Sequence, residues 1–216
     1  MDDLTRMMLK CIILAKHIDH YYHMHTPSTD GEKVSVENVQ KIVSKLAGIP
    51  IEKKVITVSD VPIRAFVDRY EDRAEIYVID DDTVPENQRE AWQKYSTIKE
   101  LCHIILDGED SFEPNPNSTL QQMFEYTGPF LDAEMSPTLM SERTAEILAM
   151  EIYYPLELRR VDRDFLNAGG AIEELVLKRQ VPAVIISRCV QDTYIDVCDT
   201  LWREMPSIET PDLDFD

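Results

Sequence analysis

Lys99, Glu100 and His103 open the segment Ser96 to Leu106, STIKELCHIIL, with the spacing of an H-E-x-x-H helix whose first histidine is a lysine. In the intact pattern the histidines at i and i+4 leave one helix face and hold one metal, and the glutamate serves as general base. Here Glu100 and His103 are kept and Lys99 stands at the first ligand position. An ammonium must lose a proton before it can ligate, which costs roughly 4 to 5 kcal/mol at neutral pH from a pKa of about 10.4. A charged lysine about 4 Å from a divalent ion is repelled by roughly 8 kcal/mol at a surface-like dielectric. An ordinary zinc site on Lys99 and His103 is therefore not expected, and no cofactor is. Other ligands are at hand: Glu100, His103 and Asp107 lie at i, i+3 and i+7 on one stripe, and Glu142 or Glu146 can add a carboxylate from a facing helix. The competing reading leaves Asp107 in solvent, pairs Glu100 with a cation and packs His103 as a core histidine. Cys102 points about 100° away from His103 and packs rather than ligates.

The flanks carry a resemblance. Trp92 to His103, WQKYSTIKELCH, resembles the RQRFTLAHELGH-type segment of the ImmA/IrrE metallopeptidase-like family, with Tyr95 at the aromatic position and Ser96 at the Ser/Thr. Glu142 to Pro155, ERTAEILAMEIYYP, resembles the family's second signature, ExEAxxFAxxLLxP, whose second glutamate supplies the third metal ligand. Counting back from Pro155 places that ligand position at Thr144. The resemblance spans roughly residues 35 to 190 and implies a zincin-like fold with two of three ligands replaced, at Lys99 and Thr144. It also implies that, were the chain active, Glu100 would be the base and zinc or another divalent ion the cofactor.

The elements that must position these residues read as α+β, mostly helical, with a small three-stranded antiparallel sheet. Helical patterns cover Leu4 to about His25 and Ser35 to Ala47, the second stopped by Gly48 and Pro50. Val55 to Val58, Pro62 to Arg69 and Ala74 to Asp80 are β-rich runs, the last two joined by a turn at Tyr70 to Arg73. A polar loop precedes the helix through Lys99 to Leu106, which Asp107 and Gly108 close. Residues 108 to 118 are a Pro/Asn-rich loop. Ile172 to Arg179, a turn at Gln180 and Val181, and a helix opened by Pro182 form a helix–turn–helix-like pattern, expected to be two core helices rather than a DNA reader. The expected division is an N-terminal helix (1–34), the zincin-like domain (35–168), a C-terminal helical segment (169–205) and an acidic disordered tail (206–216).

Net charge is −19, from 41 acidic and 22 basic side chains, which disfavours direct binding to nucleic acid. No apolar run approaches the roughly 20 residues that span a bilayer. Cys11, Cys102, Cys189 and Cys198 lack CxxC spacing and read as free thiols of a cytoplasmic protein. His17, His20, His23 and His25 could suggest a metal, but no cysteine or compact loop completes a site, so a solvated end of the first helix is expected, with Tyr21 and Tyr22 turned to the core. No Gly-rich phosphate loop or GxSxG elbow is present; Gly169 and Gly170 read as a helix terminator.

The functional expectation is a catalytically inactive ImmA/IrrE-like protein that binds another protein, as a regulator or antirepressor of a basic DNA-binding partner. In it, Lys99 would satisfy Glu100, Glu142 or Glu146 across the former metal site. The alternative is an atypical metal-dependent endopeptidase that cleaves a helix–turn–helix repressor. Binding to the basic face of such a partner by charge alone would show as an association rate that falls steeply with salt.

Overall fold

The structure is a computed structural model that describes residues 3–25, 34–59, 63–107 and 136–204. The expected loop at 108–118, the tail at 206–216 and Pro62 lie outside the described residues, as do the side chains of Tyr21, His23 and His25.

Helix α1 (Asp3–His25) buries Cys11, Ile12, Ala15 and Ile18, a spacing of three and four residues that keeps them on one face. Tyr22 turns inward as expected, and its hydroxyl accepts the Ser35 backbone N–H at 3.0 Å. Helix α2 (Val36–Ala47) begins where the Ser35 side chain accepts from Asn38 N, and ends at Gly48 in the left-handed region with φ 69°. Three strands follow: β1 (Ile51–Thr57), β2 (Ala65–Arg69) and β3 (Ala74–Asp80).

The sheet is mixed, not antiparallel. Its order is β1-β3-β2; β2 and β3 form the expected hairpin, but β1 runs parallel to β3, with Ile51 opposite Ala74 and Thr57 opposite Asp80. The next strand in the chain, β2, lies on the far side of β3, so β1 and β2 do not pair as a hairpin. β1 also starts four residues before the expected Val55. Glu52, Lys53 and Lys54 hide it in the sequence, because they lie exposed on an edge strand where no apolar alternation is needed.

Helix α3 (Glu86–Leu106) begins about three and a half turns before Lys99, so the whole Trp92–His103 segment is helical. Its face of Tyr95, Ile98, Leu101 and Cys102 is buried in the same core as Ala145, Leu148, Ala149 and Ile152 of α4 (Pro137–Tyr153), and the two helices pack together. Helix α5 (Leu156–Asn167) follows, closed by Gly169 with φ 90°. Helices α6 (Ile172–Arg179) and α7 (Ala183–Cys189) meet at Gln180, which adopts the left-handed conformation, and α8 (Asp192–Glu204) completes the fold. Residues of α1, α3, α4, α6 and α7 share one hydrophobic core. Among the described residues no helix is long and apolar enough to cross a membrane.

Candidate functional site

The α3–α4 seam brings five ionisable side chains and a serine together. Small Ala145 and Ala149, three and seven residues after Glu142, let α4 lie close to α3 and aim Glu142 at the Lys99/His103 face. Lys99 Nζ lies 2.8 Å from Glu142 Oε2 and 3.1 Å from Glu100 Oε1. His103 Nε2 lies 3.4 Å from Glu142 Oε1, an ion-pair contact set off the line of a hydrogen bond. One carboxylate thus spans the two positions, i and i+4, at which the intact motif would carry its pair of histidines. On the other ring edge, His103 Nδ1 lies 2.8 Å from Asp107 Oδ2, and the Ser141 hydroxyl donates to Asp107 Oδ1 at 2.6 Å.

The electrostatics follow from this packing. Burial opposes a charge on Lys99, yet the Glu100 and Glu142 carboxylates hold its pKa well above lysine's ordinary value. Burial would raise the Glu142 carboxyl, but Lys99 and His103 hold it well below the usual carboxylate range. For His103, burial favours the neutral ring; the hydrogen bond to Asp107 and the contact with Glu142 outweigh it and push the pKa up to about 9. The imidazole is therefore protonated at neutral pH, and two cations face three carboxylates.

This arrangement makes stability depend on pH from both sides. His103 gains affinity for its proton on folding, so its contribution is complete below the unfolded value of about 6.5 and is lost as pH rises from there through about 9. Glu142 has its pKa lowered on folding, so its contribution is complete above about 4.5 and declines as pH falls below that. Denaturant melts are expected to show a maximum between these limits and a loss on the order of 3 kcal/mol from pH 6.5 to above 9. His103→Phe should flatten that alkaline limb; an unchanged limb would assign it to another group.

Of the expected site residues, Lys99, Glu100, His103, Asp107 and Glu142 converge. Asp107 does not stand alone in solvent but holds His103 and Ser141. Glu146 takes no part: it pairs with Arg143 at 2.9 Å and Arg188 at 2.5 Å. Thr144 is not the position facing the seam. It lies two residues, about 200°, around the helix from Glu142, its hydroxyl donates to the Met140 carbonyl, and its own carbonyl accepts from Cys11 Sγ of α1. Glu142, two residues before it, is the carboxylate that meets Lys99 and His103.

Ser141 went unnoticed in the sequence, where SERTAE offers nothing beyond an ordinary polar turn of helix. Ser141, His103 and Asp107 share the residue types of a hydrolytic triad but not its geometry, since serine and aspartate both approach Nδ1 and the remaining nitrogen faces Glu142. A base for a serine nucleophile needs one ring nitrogen for each neighbour.

The residues do not fit a metal. The ammonium of Lys99 lies on the carboxylate that an ion would need, and among the described residues no group of three or more His, Cys, Asp or Glu side chains is placed to hold one. In α1, His17 is half-buried and His20 exposed. Of the three basic residues in the helix–turn–helix-like segment, Arg179 is paired with Asp162 at 2.7 Å and Arg188 with Glu146, leaving Lys178 exposed. No family model, curated protein or solved structure matches the chain.

Proposed function

We propose that the chain is a catalytically inactive ImmA/IrrE-like protein with a zincin-like domain, and that it acts in the cytoplasm by binding a protein, a basic DNA-binding regulator, as its regulator or antirepressor. The observation that carries this reading is the Lys99–Glu142–His103 bridge, in which an ion pair joins the two positions, i and i+4, that an intact motif would fill with histidines. A peptidase of the same fold would need Lys99 neutral, and its surroundings favour the charged form. The net charge of −19 supports a basic partner, because opposite charge raises the association rate. Four buried free cysteines accord with a reducing compartment.

The test is to incubate the full chain, with zinc present, with helix–turn–helix repressors from the same cell, following complex formation and repressor integrity together. The expected result is a complex whose association rate falls steeply with ionic strength and whose repressor stays intact. Repressor fragments that disappear with a chelator would overturn the proposal in favour of the endopeptidase.

A further inference from the structure

β1 is an edge strand, and its free edge matches a second copy of itself. Ala74 N–H donates to the Pro50 carbonyl at 3.0 Å, which fixes the parity of the parallel ladder. Residues 50, 52, 54 and 56 turn their backbone groups to β3, and Ile51, Lys53, Val55 and Thr57 turn theirs outward. Ile51 carbonyl already accepts one bond in that direction, from Gln40 Nε2 at 2.8 Å, and keeps a second lone pair. Val55 is 58% exposed although its β3 neighbour Val78 is buried, so the sheet's apolar side runs uncovered to the edge.

Charge is also unmet there. Glu52 stands opposite Glu75 in the β1–β3 register, and Glu75 takes both Lys54, at 2.6 Å, and Arg73, at 3.1 Å. Among the described residues Glu52 has no cation of its own.

We infer that two copies of this chain pair antiparallel through β1, about a two-fold axis at Lys53, into a continuous six-stranded sheet. In this register Lys53 meets Lys53 of the other copy and Ile51 meets Val55, each as a hydrogen-bonded pair formed from the outward backbone groups. Glu52 meets Lys54 twice, as the non-hydrogen-bonded pairs in which side chains approach most closely. The outward parity and the charge order E-K-K allow this register. Moving the axis to Lys54 sets Lys54 against itself and Glu52 against Ile56. Edge lysines commonly deter pairing; here the glutamate two residues before Lys54 makes the opposing strand complementary instead.

Sedimentation of the full chain is expected to give twice the 25.0 kDa of one copy. Glu52→Lys alone, and Lys54→Glu alone, place like charges in both pairs and should raise the dimer dissociation constant roughly tenfold or more. An equal mixture of the two variants restores both attractions and should recover the dimer, as should Glu52→Lys/Lys54→Glu in one chain, which stays informative if Lys54→Glu folds poorly without its bond to Glu75. Circular dichroism checks the fold of each. A parent that stays monomeric up to about 100 µM, a Glu52→Lys variant that dimerises like the parent, or a folded double variant that stays monomeric would overturn the inference. None of these outcomes bears on metal or peptidase activity, so the inference and the proposed function fail separately.

Discussion

Lys99→His is expected to turn this chain into a zinc-binding protein by one substitution. It places an imidazole four residues before His103, with Glu142 already across the seam, and so supplies the two-histidine, one-carboxylate set of catalytic zinc sites. The existing geometry is close to what such a site needs. Ligand atoms about 2.0 to 2.1 Å from a tetrahedral ion lie roughly 3.3 to 3.4 Å apart, and His103 Nε2 and Glu142 Oε1 are 3.4 Å apart. Removing the ammonium also frees the carboxylate that Lys99 now holds at 2.8 Å. Mass spectrometry should find about one zinc per chain in the variant, and zinc at about a hundredfold its dissociation constant should add roughly 2.7 kcal/mol of stability. Lys99→His/Glu142→Gln should lose the ion, whereas adding Thr144→Glu should change affinity little, because position 144 lies about 200° around the helix from Glu142. If zinc bound only once Thr144→Glu was added, the assignment of Glu142 as the seam's carboxylate would be wrong.

Arg159→Met is expected to be among the most destabilising single changes in the chain. Arg159 is fully buried, and its Nη2 donates to both Glu151 oxygens, at 2.6 and 2.7 Å, while Nη1 reaches Cys198 Sγ at 3.8 Å. The pair joins α5 to α4 and, through Cys198, to α8. Burial raises the Glu151 pKa and Arg159 opposes that rise, so removing the guanidinium leaves a carboxyl in the core with no cation. Breaking such a pair costs roughly 3 to 5 kcal/mol, or about 10 °C in melting temperature for a chain of this size. Arg159→Met/Glu151→Leu should recover most of the loss, since replacing both members with apolar groups is often neutral. A loss under about 1 kcal/mol for the single variant would mean that water or a rearranged neighbour reaches Glu151.

These two sites show what periodicity can and cannot reveal. α2, β3 and α6 were legible because each has an amphipathic pattern bounded by a recognisable turn: Gly48 in the left-handed region, the 70–73 turn, Gln180 after Arg179. β1 was only partly legible, because an edge strand needs no alternation and its parallel partner β3 is not its neighbour in sequence, so the pairing leaves no local signal. Within the site, Lys99, Glu100, His103 and Asp107 follow from helical spacing alone. Which residue of α4 faces them does not, since an offset of two turns a side chain to the other side of a helix; Glu142 and Thr144 differ by that offset. Arg159 was invisible for a related reason. LELRRV reads as a solvated helix face, and only the packing of α4, α5 and α8 reveals that one of its two arginines is enclosed.

The Lys99–Glu142 ion pair spans the seam between α3 and α4 at the first ligand position of the motif. The most direct measurement is the zinc, manganese and iron content of the unaltered chain, purified without a metal-binding tag and dialysed against each ion at neutral pH. The expected result is no stoichiometric metal in the parent and about one zinc per chain in Lys99→His. One metal per chain in the parent, lost on His103→Ala, would contradict the claim: it would mean that Lys99 yields its place on Glu142 to an ion.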